Sequence, residues 1–569
     1  VGIVVAIIVG CGPKWGNGTA TGKTGSQSTA TAHTAATVDV QLPSYYMDNM
    51  VFQRDQPIVV KGNVSSTESN PIDVSKLSAT LTQGKTSESV KAKVAKNGSF
   101  TCTLSAQKAS LNPYSLQVQY AGKTVLKLAK VYVGDVFVAA GQSNMELELQ
   151  NSFEGAKAVE AVVDENVRYY YAPKKPFEGE ELDKELAKTS WELPTEENAG
   201  RWSAVAYYYA RELSRKLGVC VGIIGCNWGG TSASCWMSRE MLLESDKTRS
   251  YVDEYDAIVK DQDYDAYVKE REEYIIYQTE FEKNVSHYYE TCEHPTWDEA
   301  ISLFGENKYP GPMGPLSEFR PSGLYQTMVS RLIPYTIAGF IYYQGEEDDH
   351  KPTTYYELLS ALIKQWRKDW NDETLPFLVV QLPVFQNEGE PDFKNWPLIR
   401  EAQMRVYQTI KNTGIAVILE NGEYGNIHPT RKEPVGKRLA KQALYHVYKL
   451  IGEEEAFGPI YQSSYVQDQT MVLQFAHCKD GFDVRGELKG FEIAGLDKNY
   501  QKADAVIEGS QILVKADTVK EPKYVRYAWT NYQEITLFGK NGIPVAPFRT
   551  SRLDGSCVTG SRLSNEGVM

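Results

Sequence analysis

Positive charge is in deficit: 60 Lys+Arg stand against 73 Asp+Glu, a net charge of −13. A polyanion would meet repulsion over most of such a surface, so nucleic acid is not an expected partner. Cysteine is sparse, eight in 569 residues, and no C-x-x-C pair occurs. Neither a zinc ribbon nor a disulfide framework is legible, and most of the cysteines read as buried thiols. The apolar run VGIVVAIIVG at residues 1–10 falls far short of the roughly 20 residues a spanning helix needs. What is present describes a globular body, with 42% hydrophobic and 11% aromatic residues and 36 tyrosines. At roughly 100–200 residues per domain, the length accommodates two to four domains.

The short apolar run ends in Ile8-Val9-Gly10-Cys11, which resembles a bacterial lipobox. With no initiator Met and no basic flank, residues 1–11 read as the clipped remnant of a lipoprotein signal, with lipidation at Cys11. The expected location is extracytoplasmic, at a bacterial cell surface or in the periplasm, with membrane contact only through that anchor. Residues 12–38, rich in Ser, Thr and Gly, read as a flexible linker.

Hydrophobic patterning divides the remainder. From 39 to 128, short alternating runs such as PIVVKGNV and YSLQVQYAGKTVLKL, broken by Asn-Gly and Ala-Gly turns, predict an N-terminal β-sandwich. From 129 to 457, unbroken apolar runs (VYVGDVFVAA, VCVGIIGC, IAGFIYYQG, FLVVQL, IAVILE) alternate with helical stretches, the pattern of a parallel sheet in an α/β layer. Chemistry is expected at the ends of those strands. A Tyr-rich helical insertion interrupts this region at about 240–300, with Tyr264, Tyr267, Tyr274 and Tyr277 at helical spacing; the rings suit either a packing face or a sugar-stacking wall. Alternation returns in 458–550 as a C-terminal β domain, and 551–569 is a polar tail.

Four segments carry residues able to do chemistry. Ser143, in Gly141-Gln142-Ser143-Asn144-Met145, follows a buried strand and opens a helix-compatible run. Backbone N–H groups there favour an oxyanion, although a helix-capping serine fits the same pentapeptide. Met145 replaces the second glycine of a G-x-S-x-G elbow. The segment Gly225-Cys226-Asn227-Trp228-Gly229-Gly230-Thr231 has Thr where a phosphate loop needs Lys; its glycine pair suits either a close-approach N–H or a plain turn. Gln344, in Tyr342-Tyr343-Gln344-Gly345-Glu346, offers an amide donor. The acidic run from Glu346 to His350 is too crowded on one loop to converge on a metal, and none is expected. His428, in Asn426-Ile427-His428-Pro429, offers a base, although a lone histidine ahead of a helix is often a cap.

Together the blocks VGDVFVAAGQSNMELEL, IGCNWGGTSASCWMS, RPSGLYQTMVSRLIPYTIAGFIYYQGEEDD and NIHPTRKEPVGKRLA resemble the sialate O-acetylesterase family, a branch of the SGNH-type hydrolases. LPSYYMDNMVFQRDQPIVVKG and the region from LKGFEIAG to IPVAPFRT resemble its flanking β domains. The resemblance implies an SGNH-like α/β catalytic domain between N- and C-terminal β domains. It implies a cofactor-free serine esterase that removes O-acetyl groups from sugars, 9-O-acetylated sialic acids foremost. Acetylated xylan- or mannan-type glycans are the alternative substrates, and a catalytically silent glycan binder is the rival. The implied nucleophile is Ser143 and the implied base His428, with Ser143 N–H, Gly230 and Gln344 as oxyanion donors.

Two departures from the family pattern stand out. Glu347 and Asp348 follow Glu346 where members commonly read Ser-Asn, so a more acidic pocket is expected beside Gln344. Asn426 and Gly425 occupy the positions where an acid normally stands. A neighbouring carboxylate, Glu423 before Glu420, is the expected substitute, folded back by a loop containing Gly425; otherwise a Ser–His dyad acts alone.

Overall fold

A strand buried on both faces needs no polar alternation. The run from Val131 to Gly141 has that character and ends strand β1 (Lys123–Gly141), around which the molecule is organised. The computed structural model describes residues 38–551 except 67–71, 163–165, 294–295 and 334. Cys11, the linker to residue 37 and the tail from 552 lie outside the described residues.

Parallel strands β2 (Val167–Tyr171), β3 (Val221–Asn227), β4 (Gly339–Tyr343), β5 (Phe377–Gln381) and β6 (Thr413–Val417) complete the central sheet. Their spatial order is β2-β3-β1-β4-β5-β6, with Trp191–Glu192 as an antiparallel edge. The order reverses at β1, which makes its carboxyl end a switch point where open α/β sheets bind ligands. Register reinforces this: Gly141 lies opposite Asn227 on one side and Tyr343 on the other. Three successive loops therefore leave the sheet side by side.

The amino-terminal half of β1 belongs to a different layer, pairing antiparallel with Ser110–Tyr120. That layer faces a four-stranded antiparallel sheet that includes Ile58–Ser66 and Ser99–Leu104. The expected boundary between residues 128 and 129 thus falls inside one continuous strand. One apolar core runs through both parts, from Val60 and Leu116 to Val138 and Ile341.

Two helices show how local sequence sets the frame. In α1 (Ser143–Glu146), a single turn follows β1 directly. In α2 (Ala204–Leu217), Ser203 caps the N–H of Ala206 at 3.1 Å and Gly218 closes the end at φ +65°, a left-handed value that glycine adopts without strain. The insertion is helical, with its longest element α3 spanning Tyr264–Thr291. Helices α4 (Tyr355–Asp369), α5 (Asn395–Thr409) and α6 (Glu433–His446) cover the later strands, and α6 packs on α2. The C-terminal β sheets share a second core with Val384, Met404, Tyr407, Ile415 and Val417. A buried Arg549–Glu401 pair at 2.6 Å ties them to α5. Among the described residues no helix is long and apolar enough to cross a membrane, and the described cysteines are free thiols.

Candidate active site

Gly141 begins the site because nothing larger fits: at φ +140° a Cβ would lie 2.0 Å from the carbonyl oxygen of Tyr343. The chain can then turn sharply into α1 and leave Ser143 partly exposed at its start. His428 arrives from the opposite side, in the loop between β6 and α6, five residues ahead of that helix. Its Nε2 lies 2.7 Å from Ser143 Oγ, a hydrogen bond between residues 285 apart in sequence. That distance is within reach for proton transfer.

The glycine loop closes a third side. Trp228 N–H donates to Gly141 O at 3.1 Å, and Gly229 N–H donates to Glu146 Oε2 at 2.6 Å. Glu146 is itself ion-paired with Lys174. The N–H of Gly230 makes no hydrogen bond among the described residues. Gly230 sits at φ +69°, with the hydroxyl of Tyr309 and the ring of Phe319 pressed against it.

The structure reassigns three residues. Gln344 is fully buried, and both N–H groups of its amide are committed, to Thr231 O at 3.2 Å and to Asp348 Oδ2 at 2.6 Å. Its Oε1 accepts from the Tyr355 hydroxyl at 2.8 Å. A side chain held in this way braces the loop but has no donor left for an oxyanion, so the expected role does not hold. Asp348, also fully buried, joins the same brace through Ser232, the Ala233 N–H and Tyr251. It links the glycine loop to the loop after β4.

Glu423 does fold back, but onto Asn426 Nδ2 at 2.7 Å and the Thr430 N–H at 3.1 Å. Asn426 Oδ1 in turn accepts the backbone N–H of His428 at 3.0 Å. Both residues therefore shape the loop and neither bonds the imidazole. Glu420 is bound to Arg438. No carboxylate lies at hydrogen-bond distance from the His428 ring among the described residues. Burial, with the nearby charge of Lys432, pushes His428 down to about 4. A carboxylate behind the ring would have acted in the other direction.

Of the four insertion tyrosines, Tyr267 is buried beneath Gly314, Tyr274 lies under Gly311, Tyr277 donates to Glu306 O at 2.8 Å and Tyr264 is exposed. Three of the four support the segment 305–319, so the packing reading holds for them. That segment brings Tyr309 to the site, a residue without any motif in the sequence. Glu347, expected to make the pocket more acidic, does so less than its charge suggests: its N–H donates to Gln142 Oε1 at 3.2 Å, while its carboxyl is pushed up to about 8 by burial and by Asp348 and Asp349. Its charge acts on Tyr309. No cluster of His, Cys, Asp and Glu able to hold a metal occurs among the described residues.

A family model described as carbohydrate esterase, sialic acid-specific acetylesterase, matches residues 314–445, which include Gln344 and His428. Sialate O-acetylesterase of Rattus norvegicus is 24% identical over 479 residues, covering 78% of this chain and 82% of that protein. The Homo sapiens sialate O-acetylesterase is 23% identical over 559 residues, covering 91% and 94% respectively. A carbohydrate acetylesterase from Xanthomonas citri, solved by crystallography, superposes with a TM-score of 0.69 at 29% identity, over 90% of this chain and 100% of that one.

Proposed function

We propose that this chain, an esterase similar along most of its length to the sialate O-acetylesterases, removes O-acetyl groups from sugars with a Ser143–His428 dyad. The 2.7 Å contact between Ser143 Oγ and His428 Nε2 carries the reading. Ser143 attacks the acetyl carbonyl while His428 takes its proton, and the N–H groups of Ser143 and Gly230 receive the developing oxyanion. His428 returns the proton to the departing sugar hydroxyl. It then activates the water that releases acetate. The orienting work of a triad acid falls to the loop held by Glu423 and Asn426.

Acetylated sialic acids are the substrates suggested by the names of the relatives, and the 9-O-acetyl esters are those that the resemblance in sequence puts first. Glu347 favours a second reading, neutral acetylated glycans of xylan or mannan type. Its carboxyl, close enough to act on Tyr309 and pushed up to about 8, favours the protonated form at pH 7 and can then hydrogen-bond sugar hydroxyls, yet once ionised it would repel a sialate carboxylate. Acetate release from 9-O-acetyl sialic acid and from acetylated xylo- and manno-oligosaccharides decides between them. If the second reading holds, the neutral sugars are turned over faster, the preference widens above pH 8, and Glu347→Ser narrows it. A preference for the sialate that is indifferent to pH and to Glu347→Ser contradicts it.

Export as a lipoprotein anchored through Cys11 belongs to the same proposal. Cys11→Ser is expected to move the protein from the membrane fraction to the soluble one; unchanged fractionation contradicts the anchor.

A further inference from the structure

Behind the dyad lies a buried polar chain that neither step of the chemistry uses. Asn144, next to Ser143, donates through Nδ2 to Glu346 Oε1 at 2.6 Å and to the backbone carbonyl of Ile427 at 2.9 Å. Its Oδ1 accepts from the ammonium of Lys432, which lies 5.2 Å from the Tyr343 ring centroid. Asn144 and Lys432 are 1% exposed and Glu346 is 4% exposed, and Glu346 Oε2 has no partner among the described residues. Three loops meet in this chain: the nucleophile turn, the loop after β4 and the histidine loop. A buried charge is costly unless it is compensated, so the lysine calls for a functional account.

We infer that Lys432, Asn144 and Glu346 are positioning residues that clamp the histidine loop onto the nucleophile turn, and that the Lys432 ammonium keeps His428 a free base in acid conditions. The clamp follows from the amide geometry. With its oxygen turned to Lys432, Asn144 must point both N–H groups at Ile427 and Glu346, which fixes the residue preceding His428. The charge effect follows from the same geometry: the ammonium is bonded to the side chain of Asn144, the residue next to Ser143, and Ser143 Oγ bonds the His428 ring; a cation held this near an imidazole disfavours imidazolium. The groups that act on Lys432 are Glu346 and Glu423, and His428 feels the burial and Lys432. Lys432 is itself lowered to about 7 by burial, so it still carries its proton where His428 titrates. Glu346 is raised by burial and is neutral in that range. The clamp has a chemical cost, since the same cation weakens His428 as a base in the transition state. The product is an esterase whose base stays available at low pH.

The inference rests on Ser143 and His428 as nucleophile and base, and its test separates the two claims. The acid limb of kcat/KM for a small acetyl ester reports the base in the free enzyme. Since His428 must be neutral to act, wild-type activity is expected to persist as pH falls and to fail only near 4. Lys432→Met should move that limb upward by about one pH unit. Glu346→Gln, which removes no charge at acid pH, should leave the limb in place whatever it does to the rate. Circular dichroism across the pH range confines the comparison to folded protein. If Lys432→Met is unfolded, Asn144→Asp reads the same quantity, because a carboxylate against the ammonium cancels its field and should also raise the limb. A limb that stays at the wild-type position in a folded Lys432→Met or Asn144→Asp enzyme overturns the inference, even with a slower rate, since that outcome leaves Lys432 a merely structural role. An active Ser143→Ala enzyme would instead overturn the reading of the dyad.

Discussion

Ser143→Ala is expected to lower kcat for a small acetyl ester by about four orders of magnitude or more while leaving the fold intact. The substitution removes one oxygen at a partly exposed strand end, where the buried neighbours Gln142, Asn144 and Met145 hold the backbone. His428→Ala should cost a comparable factor. Because a nucleophile without its base and a base without its nucleophile are both idle, the double variant should be no worse than the poorer single one. A double variant far below both singles would mean that the residues act in separate steps. Kinetics of the three variants, each checked by circular dichroism, make this measurable.

Gly230→Ala is the second large effect, and its cause is steric before it is chemical. At φ +69° an alanine is strained, and its Cβ would stand 2.0 Å from the Tyr309 hydroxyl and 3.1 Å from the Phe319 ring. Relieving those contacts must move either the loop or the Tyr309 side chain, and the strain at φ +69° acts on the loop whichever gives way. A displaced N–H no longer meets the oxyanion, and loss of one such donor typically costs about 10²-fold or more in kcat. Tyr309→Phe added to Gly230→Ala removes the closest atom and should recover part of the loss, though not the part due to φ. Full activity in Gly230→Ala would take its N–H out of the oxyanion site. Gly229 cannot replace it, since its own N–H is bound to Glu146.

Much of this arrangement is legible in the chain itself. Unbroken apolar runs that lead to Gly141, Asn227 and Tyr343 announce parallel strands covered on both faces, and those three strand ends prove to be neighbours in register. Pairing Ser143 with His428 needed the resemblance as well, because no local pattern relates residues this distant. What was not legible depends on where side chains point. Gln344 follows a strand end as an oxyanion donor should, yet Asp348, four residues on, captures its amide in the core. Glu423 is near enough in sequence to reach His428, but the loop turns its carboxylate to Asn426 and Thr430. Lys432 has no feature in the sequence that sets it apart within NIHPTRKEPVGKRLA, and only the tertiary fold buries it beside Asn144. The boundary at residue 128 failed for a related reason: the alternating and the unbroken halves of β1 are different patterns on one strand.

The central claim, covalent catalysis at Ser143, is tested most directly by rapid acid quench of the enzyme with an activated acetyl ester, followed by peptide mass mapping. The account requires an acetyl group on the peptide that contains Ser143, present in the wild type during turnover and missing in Ser143→Ala. An acetyl group confined to another residue, or rapid turnover without any acetylated peptide, would contradict it.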